Sequence, residues 1–269
     1  MRRLVPLLSF ALLAGLLAPI SSPPAYAAPV GTAGRTLVFS EDFNGKTLNG
    51  AAWHTCFWWS STTCSITSNA ELELYRKSNT KVRNGNLELI ARKARAALGW
   101  DGRRYKYTSG MVMTGGRKGV KPVGFARTFG YFEARMKIPT GRGLWPAFWL
   151  LPTTYQSRPE VDIMEVLGNR PDIAHFNVHT GPFNVGTQWV SGQDLSAGWH
   201  TFALDWQANQ LTWLVDGAVR FQTTDPALIP QQPEYLLLNL AVGGNWPGAP
   251  DAATRFPAKL LVDWVHVWA

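Results

Sequence analysis

Short segments of alternating apolar and polar residues run through most of the chain, and they constrain its fold more than any other feature. Segments such as "NLELIAR", "GYFEARMKI", "HTFALDW" and "YLLLNLAV" have strand length and are rich in β-branched and aromatic residues. Asn84-Gly85 and Asp216-Gly217 supply turn signals between such segments. No convincing amphipathic helix separates them. The sequence therefore predicts an all-β fold in which two antiparallel sheets pack as a sandwich.

The N-terminal segment has the composition of a secretory signal peptide. Two arginines precede an apolar run, and a small-residue cleavage site follows it at residues 25–27. The apolar run contains two prolines and a glycine, so a permanent membrane anchor is the weaker interpretation. We predict that residues 1–27 are removed, by either the general secretory or the twin-arginine route, and that residues 28–269 form a single domain of a secreted protein.

The chain carries a formal charge of +8 at pH 7. Its basic residues are scattered, with one short cluster at Arg92, Lys93 and Arg95, whereas nucleic-acid binding would need a concentrated basic stripe. The charge is interpreted as a solvated surface that favours contact with anionic cell walls. We expect a monomer with no nucleic-acid partner and no membrane association after the signal is cleaved.

The two cysteines, Cys56 and Cys64, lie close in sequence in a chain predicted to be exported. Export to an oxidising compartment favours a disulfide that closes this short loop. A metal site that also uses His54 is the alternative, but it lacks the paired spacing that zinc sites show.

The stretch "RPEVDIMEVLG" carries three acids at a spacing that fits neither a plain strand nor a helix. In a plain strand Glu160 and Asp162 would share one face and Glu165 would point to the other. A β-bulge near Ile163 or Met164 would return Glu165 to the face of the other two.

Acids grouped in this way suit the cleavage of glycosidic bonds. Two carboxyl groups roughly 5 Å apart cleave such a bond with retention, whereas 6.5 Å or more is typical of inversion. The bulged strand suits the closer pair, Glu160 and Glu165, and Asp162 between them would hold their pKa values apart. An exposed acidic strand face and a metal site are the alternatives.

Thirteen tryptophans are heavy usage for a chain of this length. Trp145 in "GRGLWPAFWLLP" and Trp246 in "AVGGNWPG" lie in segments too polar or glycine-rich for an ordinary core, so we predict that they contact a ligand such as the flat face of a sugar ring. For a further group we expect core packing: Trp149, Trp206, Trp213, Trp264 and Trp268.

"PEVDIMEVLG" resembles the E-x-D-x-x-E signature of glycoside hydrolase family 16, in the bulged form of its laminarinase-like members. The blocks "FSEDFNG", "NAELELY", "FGYFEARMKIPTGRGLWPAFWLLP", "LNLAVGGNWPG" and "FPAKLLVDWVHVW" also look like blocks of this family and occur in family order. They cover nearly the whole mature chain. The resemblance implies a concanavalin A-like β-jelly-roll, with a substrate cleft across its concave sheet and one catalytic domain over residues 28–269.

The resemblance also implies residue roles. Glu160 matches the nucleophile, Glu165 the general acid/base and Asp162 the assisting acid between them. The positions that match sugar-holding residues of the family are Asn69, Arg127, Trp145, Trp149, His179, Asn239 and Trp246. For Arg127 and His179 a structural role, in a surface ion pair or as a buried hydrogen-bonding imidazole, is the alternative.

No organic cofactor is implied for catalysis, but the family often carries a structural calcium ion away from the cleft. Glu41, the carbonyl of Gly85 and Asp263 match its ligands, and an oxygen-only set suits calcium. Without the resemblance, Glu41 and Asp263 would be interpreted as ordinary surface acids.

Two segments depart from the family pattern. A Trp-Pro pair is common before the first catalytic acid, but here the segment is "TTYQSRPEVD", with Tyr155 as its aromatic residue, and "CFWWSSTTC" is also unusual. Both are expected at the cleft rim, where they would affect substrate preference. The expected function is a secreted retaining endo-glycosidase that hydrolyses β-1,3 linkages in a β-glucan, of laminarin type or mixed 1,3-1,4. A non-catalytic polysaccharide-binding sandwich and a hydrolase of a galactan are the alternatives.

Overall fold

The computed structural model describes residues 31–57, 59, 64–99, 101–116, 123–154 and 156–269. The predicted signal peptide, Trp58 and Tyr155 lie outside these residues. Within them the secondary structure consists of β-strands and two short 3₁₀ helices, Thr67–Asn69 and Lys77–Asn79. None of the helices in the described ranges is long and apolar enough to cross a bilayer.

The strands, in chain order, are β1 (Leu37–Glu41), β2 (Glu73–Tyr75), β3 (Thr80–Arg83), β4 (Asn86–Leu98), β5 (Arg104–Ser109), β6 (Met111–Met113), β7 (Gly130–Lys137), β8 (Leu144–Pro152), β9 (Glu160–Glu165), β10 (Ile173–His179), β11 (Asn184–Val190), β12 (His200–Gln207), β13 (Gln210–Val215), β14 (Ala218–Thr223), β15 (Glu234–Val242) and β16 (Ala258–Trp268).

These strands form two sheets. The larger has the order β14-β13-β12-β7-β16-β4-β5-β2, with β1 added beside β16 and β3 beside β4, and the smaller has the order β11-β10-β9-β8-β15-β6. Neighbours pair antiparallel, except that β2 and β5 run parallel. The predicted all-β sandwich is confirmed, and several of its pairs join strands distant in sequence, as β7 and β16 do.

The core lies between the sheets and follows the period-two alternation of the strands. On β15, Leu236 and Leu238 are buried in the main core, whereas Leu237 and Asn239 point to the opposite face of the smaller sheet. Burying a leucine side chain contributes about 1.5–3 kcal/mol. The alternation therefore fixes which face of the smaller sheet is left for a binding site.

The predicted core tryptophans divide between the two sides of the sheets. Trp206 and Trp213 are fully buried in the main core, as predicted. Trp264 is also buried, at 7% exposure, but it lies outside the main core because the adjacent Val265 occupies the core face of β16. Trp264 stacks on His266, with ring centroids 4.4 Å apart. Trp268 is only partly buried and packs against a small outer cluster, so the core prediction is wrong for Trp268.

Candidate active site

A β-bulge in β9 brings the three acids to one face. In the pairing with β8, Met164 lies opposite Phe148 and Asp162 lies opposite Trp149, so Ile163 is an extra residue without a partner position. The pairing with β10 shifts at the same place. Ile163 and Met164 are both buried in the core, although they are consecutive. The predicted bulge is confirmed, and Glu160, Asp162 and Glu165 share the outer face of the smaller sheet.

These acids lie in an open cleft of about 880 Å³ across the smaller sheet. Six of the seven positions matched to sugar-holding residues also line it: Asn69, Trp145, Trp149, His179, Asn239 and Trp246. The acids are therefore not an exposed strand face, which was one of the alternatives. A cleft of this size, with apolar platforms and a few polar groups, is suited to bind a ligand.

Arg127 is the predicted sugar-holding residue that the structure does not bring to the cleft. Its side chain is exposed, and its backbone forms an isolated bridge with Glu234 at the beginning of β15. The main chain of Arg127 therefore joins a loop to the first residue of β15.

Glu165 has a hydrogen-bond donor on each carboxylate oxygen. The indole Nε1 of Trp145 donates to Oε1 at 2.9 Å, and the amide Nδ2 of Asn177 donates to Oε2 at 2.6 Å. Burial and the charge of Asp162 raise the pKa of Glu165 well above its ordinary value, and the two donors partly offset this shift. A raised pKa keeps a proton on a carboxyl group near neutral pH, as a general acid requires.

Asp162 and Glu160 both face the imidazole of His179. His179 Nε2 lies 3.2 Å from Asp162 Oδ2 and 3.8 Å from Glu160 Oε1, and Nδ1 lies 2.9 Å from Asn184 Oδ1. Asp162 Oδ2 is buried and has no hydrogen-bond partner among the described residues, so its approach to Nε2 is a close contact and not a hydrogen bond. The donor atoms of Glu160, Asp162 and His179 all lie within 4.8 Å of one another, a spacing that a metal ion could also use.

Burial raises the pKa of all three acids. It raises the pKa of Asp162 to about 8. The pKa of Glu160 is raised well above its usual range by burial and by Asp162, and His179 opposes this shift. Three desolvated carboxyl groups on one strand face cannot all ionise together near neutral pH, so they titrate as a group. The side chain of Glu160 is 28% exposed and that of Asp162 is 5% exposed, so the negative charge is best solvated at Glu160.

Trp149 forms part of the cleft floor. It is 6% exposed and belongs to a buried cluster on the cleft face that is separate from the main core. Its Nε1 donates to Asn239 Oδ1 at 2.8 Å, and Asn239 Nδ2 donates to the hydroxyl of Tyr75 at 3.0 Å. This chain of hydrogen bonds fixes the indole ring and the amide below a bound ligand.

Trp145 and Trp246 form one wall of the cleft. Their rings meet edge to face with centroids 5.3 Å apart, and His175 approaches Trp246 at 4.7 Å. Trp246 is 42% exposed, and neither tryptophan belongs to a core cluster. The prediction that both lie outside the core, in the cleft, is confirmed.

Cys56 and Cys64 form a disulfide, with Cα atoms 4.8 Å apart. The loop that it closes carries Trp59, which lines the cleft and stacks on Phe57 with ring centroids 4.6 Å apart. The expectation that this unusual insertion touches the cleft is confirmed for Trp59.

Residues that sequence reasoning did not assign to the site form a second acidic pair, Glu71 and Glu73. Glu71 lines the cleft and accepts a hydrogen bond from Asn69 at 3.0 Å. Glu73 lies behind it and accepts a bond from the Val242 amide at 2.7 Å. Burial raises the pKa of both carboxyl groups, and for Glu73 the nearby Glu71 adds to the shift. The alternation in "NAELELY" indicates that these two glutamates share one face.

The residues predicted to hold calcium lie near the middle of β16, although they are far from one another in sequence. Glu41 of β1 is paired with Val265, two residues beyond Asp263. Gly85 forms the turn between β3 and β4, near the pair of Leu87 with Val262. The oxygen donor set fits calcium. An ion there would share Asp263 with Arg135, whose guanidinium lies 2.5 Å from its Oδ2.

A β-sandwich with grouped carboxyl groups and aromatic side chains in an open cleft is typical of enzymes that cleave polysaccharides. Comparison with known proteins defines this class further. The model of glycosyl hydrolases family 16 matches residues 59–266, and the chain belongs to this family.

Curated relatives and solved structures agree with that assignment. The chain is 35% identical over 229 residues to a beta-glucanase of Rhodothermus marinus, covering 74% of each protein. It is 31% identical over 249 residues to Endo-1,3-1,4-beta-glycanase EglC of Rhizobium meliloti, covering 87% of this chain and 52% of EglC. The structure of endo-beta-1,3-glucanase from Pyrococcus furiosus superposes with a TM-score of 0.76 at 32% identity, covering 87% and 94% of the two chains. The chain thus spans about half the length of some curated relatives.

Proposed function

We propose that the protein is a secreted, retaining endo-hydrolase of β-1,3 linkages in β-glucan, with mixed 1,3-1,4-glucan as a second substrate. The observation that carries this proposal is the bulged strand β9, which presents Glu160, Asp162 and Glu165 together on the cleft face. The names of its relatives support the linkage, because they include a beta-glucanase and an endo-beta-1,3-glucanase.

The proposed reaction has two steps. In the first, Glu165 gives its proton to the glycosidic oxygen while the carboxylate of Glu160 attacks the anomeric carbon, which forms a glycosyl-enzyme ester and releases the leaving sugar. In the second, Glu165 removes a proton from water, the water oxygen attacks the anomeric carbon, and Glu160 leaves as a carboxylate. Burial raises the pKa of Asp162 to about 8, so Asp162 keeps its own proton near neutral pH and adds no negative charge beside Glu160.

The cleft walls suggest how a glucan chain is held. Trp246 offers an exposed indole face, and the fixed ring of Trp149 lies on the floor. Flat apolar faces of pyranose rings pack on such side chains. Asn69, His179 and Asn239 line the same cleft and can exchange hydrogen bonds with sugar hydroxyl groups. The predicted signal peptide and the disulfide support export, and a structural calcium ion at Glu41, Gly85 and Asp263 remains part of the proposal.

The test combines substrate digestion with two isosteric variants. The purified protein should release oligosaccharides from laminarin and from mixed-linkage glucan. Glu160→Gln and Glu165→Gln should each fold and lose at least about 10²–10⁴-fold in turnover, because the nucleophile or the transferable proton is removed. Near-parental turnover in either variant would contradict the roles. Cleavage of a galactan alone would reassign the substrate, and binding without released reducing ends would support a non-catalytic sandwich.

A further inference from the structure

The amide of Asn177 lies between the catalytic strand and the edge strand of the smaller sheet. Asn177 is on β10, opposite Asp162 of β9 on one side and opposite Gly186 of β11 on the other. Its Nδ2 donates to Oε2 of Glu165 at 2.6 Å. The position of the Asn177 side chain therefore affects where the Glu165 carboxyl group lies.

Gly186 leaves the space that this amide occupies. A Cβ atom at Gly186 would lie 1.9 Å from Oδ1 of Asn177 and 2.9 Å from its Cγ, so both groups could not keep their positions. The next contact, with the carbonyl oxygen of Phe176 at 3.1 Å, needs only a small shift. Gly186 is not among the residues with positive φ. Glycine is therefore required here for space and not for backbone conformation.

We propose that Asn177, given room by Gly186, is a positioning residue that holds the carboxyl group of Glu165 in the orientation needed for proton transfer. This inference rests on the proposed function, in which Glu165 is the acid and base. It adds a residue outside the acidic motif, together with the glycine that permits its position.

The contacts of Glu165 explain why a second donor matters. Trp145 on β8 donates to one carboxylate oxygen and Asn177 on β10 donates to the other, so the group is held from both neighbouring strands. The terminal torsion of a glutamate side chain is broad, and one hydrogen bond alone leaves the carboxyl plane free to turn. A displacement of about 1 Å at a reacting group can cost 10²-fold in rate.

Asn177 also influences the charge state of Glu165. An N–H donor stabilises the carboxylate form, so it lowers the pKa that burial and Asp162 raise. The other titratable groups around Glu165 are Glu160 on the same strand and His175 and His179 on β10, whereas the β8 sequence "LWPAFWLLP" contains no charged side chain. Burial lowers the pKa of His175, so this ring is neutral near pH 7. Loss of the Asn177 donor should therefore raise the pKa of Glu165.

The experiment compares Asn177→Ala and Gly186→Ala with the parent and with Gly181→Ala as a matched control. Gly181 lies in the turn of the same hairpin, has no positive φ, and no atom lies within 4 Å of the Cβ that alanine would add. Two substrates are used: an unmodified β-1,3-gluco-oligosaccharide, and the same sugar carrying a dinitrophenyl leaving group. The second needs no proton from Glu165, because dinitrophenolate leaves as a stable anion.

Both test variants should lose about 10- to 100-fold in kcat/KM on the unmodified oligosaccharide, and much less on the dinitrophenyl substrate. In Asn177→Ala the basic limb of the kcat/KM profile should move to higher pH. Gly181→Ala should match the parent on both substrates. Thermal unfolding of Gly186→Ala should stay close to that of the parent because β11 is an exposed edge strand, and that of Asn177→Ala because the Asn177 side chain is only partly buried.

Parental kcat/KM in Asn177→Ala, or an equal loss on both substrates, would overturn the inference, since a general packing defect does not depend on the leaving group. If Gly186→Ala keeps the kcat/KM of the parent on both substrates, the role assigned to Gly186 would be overturned. The Gly186→Ala variant also tests the inference if Asn177→Ala does not fold. A failure of the proposed function is recognised separately: the parent would not cleave β-1,3-glucan, or Glu165→Gln would keep its turnover.

Discussion

Glu234 provides a test of how the sandwich tolerates a carboxyl group in its interior. It begins β15, is completely buried, and precedes by two residues Leu236, which points into the main core. Its two carboxyl oxygens have no hydrogen-bond partner within the described part of the chain. Burial, with contributions from Glu160 and Asp162, raises the pKa of Glu234 well above its ordinary value. The folded protein therefore keeps a proton that the unfolded chain loses.

The sign and size of the effect follow from proton linkage. An unfolded glutamate loses its proton near pH 4.3, and above that pH the folded state binds one proton more at Glu234. The stability that this proton supports is complete below the unfolded pKa and is lost as the pH rises toward the folded pKa. Between the unfolded and the folded pKa, the loss is about 1.4 kcal/mol for each pH unit.

Glu234→Gln should remove this contribution, because glutamine has the shape of the protonated acid and does not ionise. The free energy of unfolding is measured by urea titration at pH 5, 6 and 7. The difference between the variant and the parent should grow in favour of the variant by about 1.4 kcal/mol for each unit of pH. Asp225→Asn, which removes an exposed carboxylate, is the control. Its free energy of unfolding should change with pH in the same way as that of the parent. Parallel curves for the parent and Glu234→Gln would refute the reasoning, since they would mean that Glu234 ionises equally in both states.

Three further predictions concern the disulfide, the metal and the cleft wall. Mass spectrometry of secreted protein should find Cys56 and Cys64 joined, and their replacement by serine should cost about 2–3 kcal/mol of stability; two free thiols would contradict this. Added calcium should raise the melting temperature and a chelator should lower it, because a bound ion stabilises only the folded state; an unchanged melting temperature would argue against the site. Trp246→Ala should weaken transition-state binding by about 1–3 kcal/mol with little loss of stability, whereas Trp206→Ala in the core should cost about 3–5 kcal/mol of stability; the opposite pattern would place Trp246 in the core.

The features that the sequence predicted correctly are those set by local geometry. The bulge at Ile163 follows from the spacing of Glu160 and Glu165, because no other local device returns both acids to one face of a strand. The burial of alternate residues on β15 follows in the same way from the period of two. Such patterns survive in any arrangement of the two sheets.

The features that the sequence did not predict depend on which strands are neighbours in the sheet. Asn177 holds Glu165 only because β10 lies beside β9, and its side chain fits only because Gly186 of β11 lies opposite. The position of Arg127 before a family block predicts that it reaches the cleft, but its exposed side chain lies outside the cleft lining. Strand register across the sheet, which a single sequence does not reveal, decides these contacts.

Glu165 and Glu234 show that the same desolvation has different consequences on the two faces of the smaller sheet. Both carboxyl groups are buried, and burial raises the pKa of each. Each therefore lowers the stability of the fold as the pH rises. The proton that Glu165 keeps lies on the cleft face, where a substrate can receive it. The proton that Glu234 keeps lies on the core face, where no substrate reaches it. Glu165→Gln and Glu234→Gln should consequently both flatten the dependence of stability on pH, but only Glu165→Gln should abolish turnover. A loss of turnover in Glu234→Gln at full stability would mean that its proton acts through Glu160 and Asp162 across the sheet.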